Sequence, residues 1–169
     1  SERGGDTRRG ALGRGLRGDG GRPRGPGRGQ RADPAPLRAA LRDVPVLVLP
    51  GGQAADAHGR TVMLGRNSSD LTAVVVAAAL GSPVCELFSD VPGVCSADPH
   101  TVPGARTLPR LDYATVRRLS HGGAKVVHEA AVDWAERTGT LLHCRAFPPR
   151  GDDATLIGPE QAPAAAVAV

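Results

Sequence analysis

Gly65-Arg66-Asn67-Ser68-Ser69-Asp70 opens directly into Leu71-Thr72-Ala73-Val74-Val75-Val76-Ala77-Ala78-Ala79-Leu80, with Gly81 behind it. A tight polar turn feeding ten apolar or small residues reads as a helix entered from a loop. Ser69 or Asp70 is placed to cap that helix by accepting from an amide of its first turn. Gly81 supplies the left-handed residue that stops it. The helix start offers bare N–H groups and a partial positive charge, the ingredients of an anion site. Arg66 adds a planar fork that matches a carboxylate or phosphate. A capped core helix after a turn is the plainer reading of the same residues.

Outward from this turn the chain alternates. Upstream, Ala35–Arg42 suits a short helix. Pro45-Val46-Leu47-Val48-Leu49 reads as a buried strand ending at Pro50-Gly51-Gly52, and Thr61–Leu64 as a further short strand. Downstream, Val84–Ser89 is a strand closed by Asp90-Val91-Pro92-Gly93. A polar excursion then runs to about Leu108. Asp112 can cap a helix that reaches Leu119 and ends at Gly122-Gly123. A second helix, Val126–Arg137, carries Val127, Ala130, Ala131 and Trp134 at helical spacing and stops at Gly139. Thr140–Ala146 reads as a last strand. This alternation predicts an α/β fold with a mostly parallel sheet, its ligand at the carboxyl ends of the strands. The loops after Leu49, Leu64 and Ser89 fall on that edge.

The ends read differently. Residues 1–34 hold eleven Gly, and nine Arg against four acids, with almost no large apolar side chain. They are expected to be a disordered leader, because nothing in them offsets the entropy of ordering. The remaining residues carry twelve basic against thirteen acidic groups, so the formal +4 of the 169-residue chain belongs to the leader. Its Gly-Arg pairs resemble RNA-binding tails, but no aromatic residue is interleaved to stack on bases, so nucleic acid is disfavoured. A shifted reading frame in GC-rich DNA produces the same texture. Residues 35–147 are read as the domain, and 148–169 as a flexible Pro/Ala-rich tail.

Of the 21 basic residues only Lys125 is a lysine, which points to a position where Arg would not serve or is one lysine left by chance in an Arg-biased chain. Cys85, Cys95 and Cys144 are odd in number and form no CxxC, and the five His show no metal-ligand spacing. Reduced thiols, no structural metal and a cytoplasmic setting are expected. No apolar run is long enough to span a membrane.

Three blocks now stand in order: Leu64–Ala73; Cys85-Glu86-Leu87-Phe88-Ser89-Asp90-Val91-Pro92-Gly93-Val94 with Ala97-Asp98-Pro99-His100; and Gly123-Ala124-Lys125-Val126-Val127-His128. Together they resemble the aspartate kinases of the amino-acid kinase family, whose pattern reads LGRGGSDxTA, CEIxTDVxGVYTADPR and GAKVLH. Val102-Pro103-Gly104-Ala105-Arg106 and Tyr113 also fit. The resemblance covers about Val44 to Phe147.

It implies an α/β/α sandwich of the amino-acid kinase type, present in part, with the N-terminal half of the kinase domain missing. It implies transfer of the ATP γ-phosphoryl group to the side-chain carboxylate of aspartate, with Mg²⁺, in the biosynthesis of lysine, threonine and methionine. By block, Arg66 and Ser69 would hold the amino acid, and Asp70 would stand at the reacting centre. Ser89 and Asp90 would line the adenine and ribose side of ATP. Cys95 and His100 stand where the family has Tyr and Arg near the nucleotide, and Lys125 would reach the phosphates. The family's Gly-Gly is Asn67-Ser68 here, its early KFGG-type lysine loop has no counterpart, and feedback inhibition is not expected of this chain. A homo-oligomer, or pairing with another kinase chain, is expected, and a non-catalytic nucleotide- or amino-acid-binding partner of another kinase chain is the alternative function. A related amino-acid kinase with another acidic substrate is also open.

Overall fold

The computed structural model describes residues 16–17, 31–56, 58–121, 127–148 and 153–160. Its elements are β1 (Leu16–Arg17), β2 (Arg31–Ala32), α1 (Pro34–Asp43), β3 (Gln53–Ala55), β4 (Thr61–Met63), α2 (Ser69–Leu80), β5 (Val84–Ser89), β6 (Arg110–Asp112), α3 (Tyr113–His121), α4 (Glu129–Thr138), β7 (Leu141–Ala146) and β8 (Ala154–Gly158). The strands form two four-stranded sheets, ordered β2-β1-β3-β4 and β5-β7-β8-β6. The α/β class read from the alternation holds. The second sheet is mixed: β5–β7 and β6–β8 are parallel ladders, joined by the antiparallel pair β7–β8.

The helices form where local chemistry favours them. Asp33 caps α1, accepting from the Ala35 amide at 3.0 Å, and Pro34 opens its first turn. Asp112 caps the start of α3 through the Thr115 amide at 2.7 Å. Its carboxyl is held below the usual carboxylate range by bonds from the Thr115 hydroxyl and amide. Gly81 and Gly139 end α2 and α4 in the left-handed conformation, as expected. The Arg38 guanidinium of α1 donates to the Leu80 carbonyl at 3.2 Å, a cation at the negative end of α2.

The core lies between one face of the second sheet and α2, α3 and α4. Leu71, Val74 and Val75 meet Ala130, Ala131, Val132 and Ala135 over Cys85, Leu142, Cys144 and Ile157. Period-two alternation along β7 buries Leu142, Cys144 and Ala146 and turns Leu141, His143 and Arg145 to the other face. That other face is half-exposed. The described residues thus supply one helical layer of the expected sandwich. On the open face Glu86 bonds Arg145 at 2.9 Å and His143 at 3.3 Å, and Phe88 meets Phe147 edge to face at 6.1 Å.

Several expectations are corrected. Pro45–Leu49 joins no sheet, and Val46 and Val48 are 72% and 84% exposed. An apolar run becomes a strand only where a partner edge receives it, and none does among the described residues. The tail expected from residue 148 contains β8, hydrogen-bonded on both sides, with Thr155 and Ile157 wholly buried. Within the expected leader, β1 and β2 pair with each other, and β1 pairs with β3. The rest of the leader, the Gly122-Gly123 stop and Lys125 lie outside the described residues.

Thr155 joins β8 to the 90–108 excursion. Its hydroxyl accepts from the Val94 amide at 2.8 Å and donates to the Leu108 carbonyl at 2.7 Å. A Cβ on Gly93 would lie 2.5 Å from that oxygen, so glycine permits the approach. Thr155→Val keeps the shape and strands both partners. It is expected to cost about 1–3 kcal/mol, read as a lower urea midpoint at unchanged slope.

Candidate functional site

The Gly65–Asp70 turn is held from inside and from below. Gly65 and Asn67 both have positive φ, at 109° and 57°. Asn tolerates this conformation, which is how the turn closes without the family's second glycine. Ser68, not Ser69 or Asp70, is the residue before the helix, and no side chain caps the first turn. The buried Ser68 hydroxyl instead donates to the Gly65 carbonyl at 2.7 Å. The expected side-chain cap is therefore replaced by a bond that shapes the turn.

Beneath lies the Pro50-Gly51-Gly52 loop. The Gly52 amide donates to the Thr72 hydroxyl at 3.0 Å, and its carbonyl accepts from the Leu64 amide at 2.9 Å. A Cβ on Gly51 would stand 3.0 Å from the Ser69 Cβ. The loops after Leu49 and Leu64 therefore meet, as the sheet-edge argument expects. Arg66 and Ser69 are exposed, and Asp70 is half-buried.

Asp70 accepts from the His128 amide at 3.3 Å, which ties the start of α2 to the start of α4. His128, read from sequence as structural, also has a buried Nδ1 without a partner among the described residues. Cys85 and Cys144 lie on the adjacent strands β5 and β7. Burial first, and then the Asp70 charge, pushes their thiols up to about 11 and about 12.

Ser89 and Asp90 end β5. Because α2 turns back through Gly81 into β5, its first turn shares an edge with them. The Ser89 hydroxyl closes a local turn with the Val91 amide and carbonyl, and Asp90 is exposed and unpaired among the described residues. Cys95 is half-buried and bridges to Thr107, with its sulfur 3.7 Å from the Gly93 carbonyl. His100 is exposed, on a turn closed by Asp98 accepting from its amide at 2.9 Å. No hydrogen bond joins Cys95 or His100 to the Gly65–Asp70 turn among the described residues. No three His, Cys, Asp or Glu side chains converge as a metal site there either. No helix among them is long and apolar enough to cross a membrane.

A polar turn at a helix start is thus locked onto a glycine loop and joined through Asp70 to a second helix start. A family model described as the amino acid kinase family matches residues 6–145. The chain belongs to that family. The match takes in most of the Gly/Arg-rich stretch that composition set apart from the domain. Among curated relatives, the aspartokinase of Thermus thermophilus is 42% identical over 113 residues, 67% of this chain and 28% of that protein. The bifunctional aspartokinase/homoserine dehydrogenase of Haemophilus influenzae is 46% identical over 87 residues, 52% of this chain and 11% of that protein. Among solved structures, E. coli aspartokinase III in complex with aspartate and ADP superposes with a TM-score of 0.71 at 28% identity, over 89% of this chain and 34% of that one. The resemblance to aspartate kinases read from the three blocks is thereby borne out. This amino-acid kinase chain spans 28% of the length of its Thermus relative.

Gly51, Gly52, Thr72 and His128 were not singled out from sequence as parts of the site. The glycine pair was legible as a loop, but its contact with Ser69 depends on long-range packing. The thiol environment gives a direct test. Both buried thiols, pushed well above the usual range, hold little of the reactive thiolate near neutral pH. Iodoacetamide should therefore modify Cys95 and spare Cys85 and Cys144 in the folded chain, with all three labelled after denaturation, read by peptide mass spectrometry.

Proposed function

We propose that this chain is the aspartate- and nucleotide-binding part of an aspartokinase-like phosphotransferase, acting on the side-chain carboxylate of aspartate. A carboxylate oxygen attacks the γ-phosphorus of ATP, the bond to the β–γ bridging oxygen breaks, and ADP leaves with 4-phosphoaspartate as the acyl phosphate. No proton has to move. Such a step depends on positioning and on neutralising spreading charge.

The observation that carries this reading is the Gly65–Asp70 turn, whose N-cap residue Ser68 makes no side-chain cap bond, with Asp70 fixed to the start of α4. Arg66 would pair bidentately with a substrate carboxylate, and Ser69 would donate beside it. Asp70 would orient the groups at the reacting centre. Ser89 and Asp90 would line the nucleoside side of ATP, with Cys95 and His100 farther out, and Lys125 would take the phosphates. Mg²⁺ would arrive on ATP, whose phosphates and waters are its usual ligands. The described residues hold no three-ligand cage for it. The complex of aspartate and ADP with E. coli aspartokinase III supports the choice of substrates.

The half-exposed outer face of the second sheet favours a second reading, a binding partner that completes another kinase chain. One experiment separates the two. With ATP-Mg²⁺ and aspartate, the first reading expects ADP release together with an acyl phosphate trapped by hydroxylamine. Arg66→Ala and Asp70→Ala should each lower both by about 100-fold or more. ATP binding by calorimetry without aspartate-dependent ADP release would assign the chain to the second reading. Equal ADP release by all three proteins would end the first.

A further inference from the structure

The open face of the second sheet holds a cavity at the end of the strands remote from the Gly65–Asp70 turn. Strand register places Val84, Leu141, Gly158 and Asp112 in one row across the sheet, and Glu86, His143, Leu156 and Arg110 in the next. The cavity, about 470 Å³, opens over Leu141, Leu156 and Gly158, with Arg110, Asp112 and Glu160 around it. That volume lies in the range of small-molecule sites.

Its floor is apolar, and glycine deepens it. A Cβ on Gly158 would lie 2.7 Å from Leu141 Cδ2. Its walls carry charge that is not spent. Asp112 is committed to the Thr115 amide and hydroxyl, both at 2.7 Å. On the same face, Glu86 is committed to Arg145 and His143. The side chains of Arg110 and Glu160 make no hydrogen bond or ion pair among the described residues, although both line the cavity. One free guanidinium and one free carboxylate, both on exposed residues, therefore flank an apolar floor.

We infer that this cavity binds a small zwitterion with a branched apolar body, the chemistry of an apolar α-amino acid. The ligand carboxylate pairs with Arg110, its ammonium group with Glu160, and its side chain covers Leu141, Leu156 and Gly158. A ligand with only one charge leaves a wall group without a partner and loses a charge-assisted bond. The site is independent of the kinase reading, and its test needs no ATP.

Calorimetry on the full chain would compare L-leucine with isoamylamine and 4-methylpentanoate, which keep the apolar body and one charge each. L-leucine is expected to bind, and each single-charge analogue to bind about tenfold or more weakly. Arg110→Gln and Glu160→Gln should each weaken L-leucine by a similar factor, with the circular dichroism spectrum unchanged. Gly158→Ala should weaken it by filling the floor. Arg66→Ala should leave it untouched. No saturable binding of L-leucine, equal binding of either analogue, indifference to both charge variants, or loss on Arg66→Ala would each overturn the proposal.

Discussion

The close packing of α2 on α4 over β5 and β7 is the constraint that the candidate site depends on. Their contact is made of small and β-branched residues: Val74 and Val75 on one helix, Ala130, Ala131, Val132 and Ala135 on the other, all nearly or wholly buried. Small side chains let the two backbones approach. Each helix turns through a left-handed glycine into the strand beneath it, α2 into β5 and α4 into β7. Both helices therefore start at the same edge of the sheet, where the strands end. The bond from the His128 amide to Asp70 closes the gap between them. A site formed this way inherits its geometry from the core, because shifting either helix would open cavities among Ala and Val contacts that have no slack.

Local chemistry was the legible part. The α2 run, its Gly81 stop, the Asp112 cap and β5 were each readable because the deciding residues lie within a turn or a strand of one another. Arg66, Ser69 and Asp70 could be nominated for the same reason. Most of the failures are non-local. Pro45–Leu49 has the composition of a buried strand, but burial needs a neighbouring edge. Ala154–Gly158 follows a Pro-rich stretch and looks weak alone, yet β6 and β7 receive it on both sides. Ser68 rather than Ser69 precedes the helix because its hydroxyl finds the Gly65 carbonyl. His128 lies 58 residues from Asp70, and no spacing rule reaches that far.

Electrostatics around Asp70 follow from the same packing. The carboxylate stands over two buried thiols that its charge and their burial keep protonated. The surroundings of Asp70 on that side are thus neutral and weakly polar.

The excursion between β5 and β6 is zipped at its base. Ser96 and Arg106 bond through backbone and side chain, Leu108 donates to the Val94 carbonyl, and Thr155 grips both strands of that stem. Whatever swing the excursion has is confined to its outer arc, residues 97–105, with the stem as a fixed pivot. His100 belongs to that arc, whereas Ser89 and Asp90 end β5 outside it. A ligand touched by both would meet the sheet on one flank and, on the other, a loop tied to the sheet through that stem.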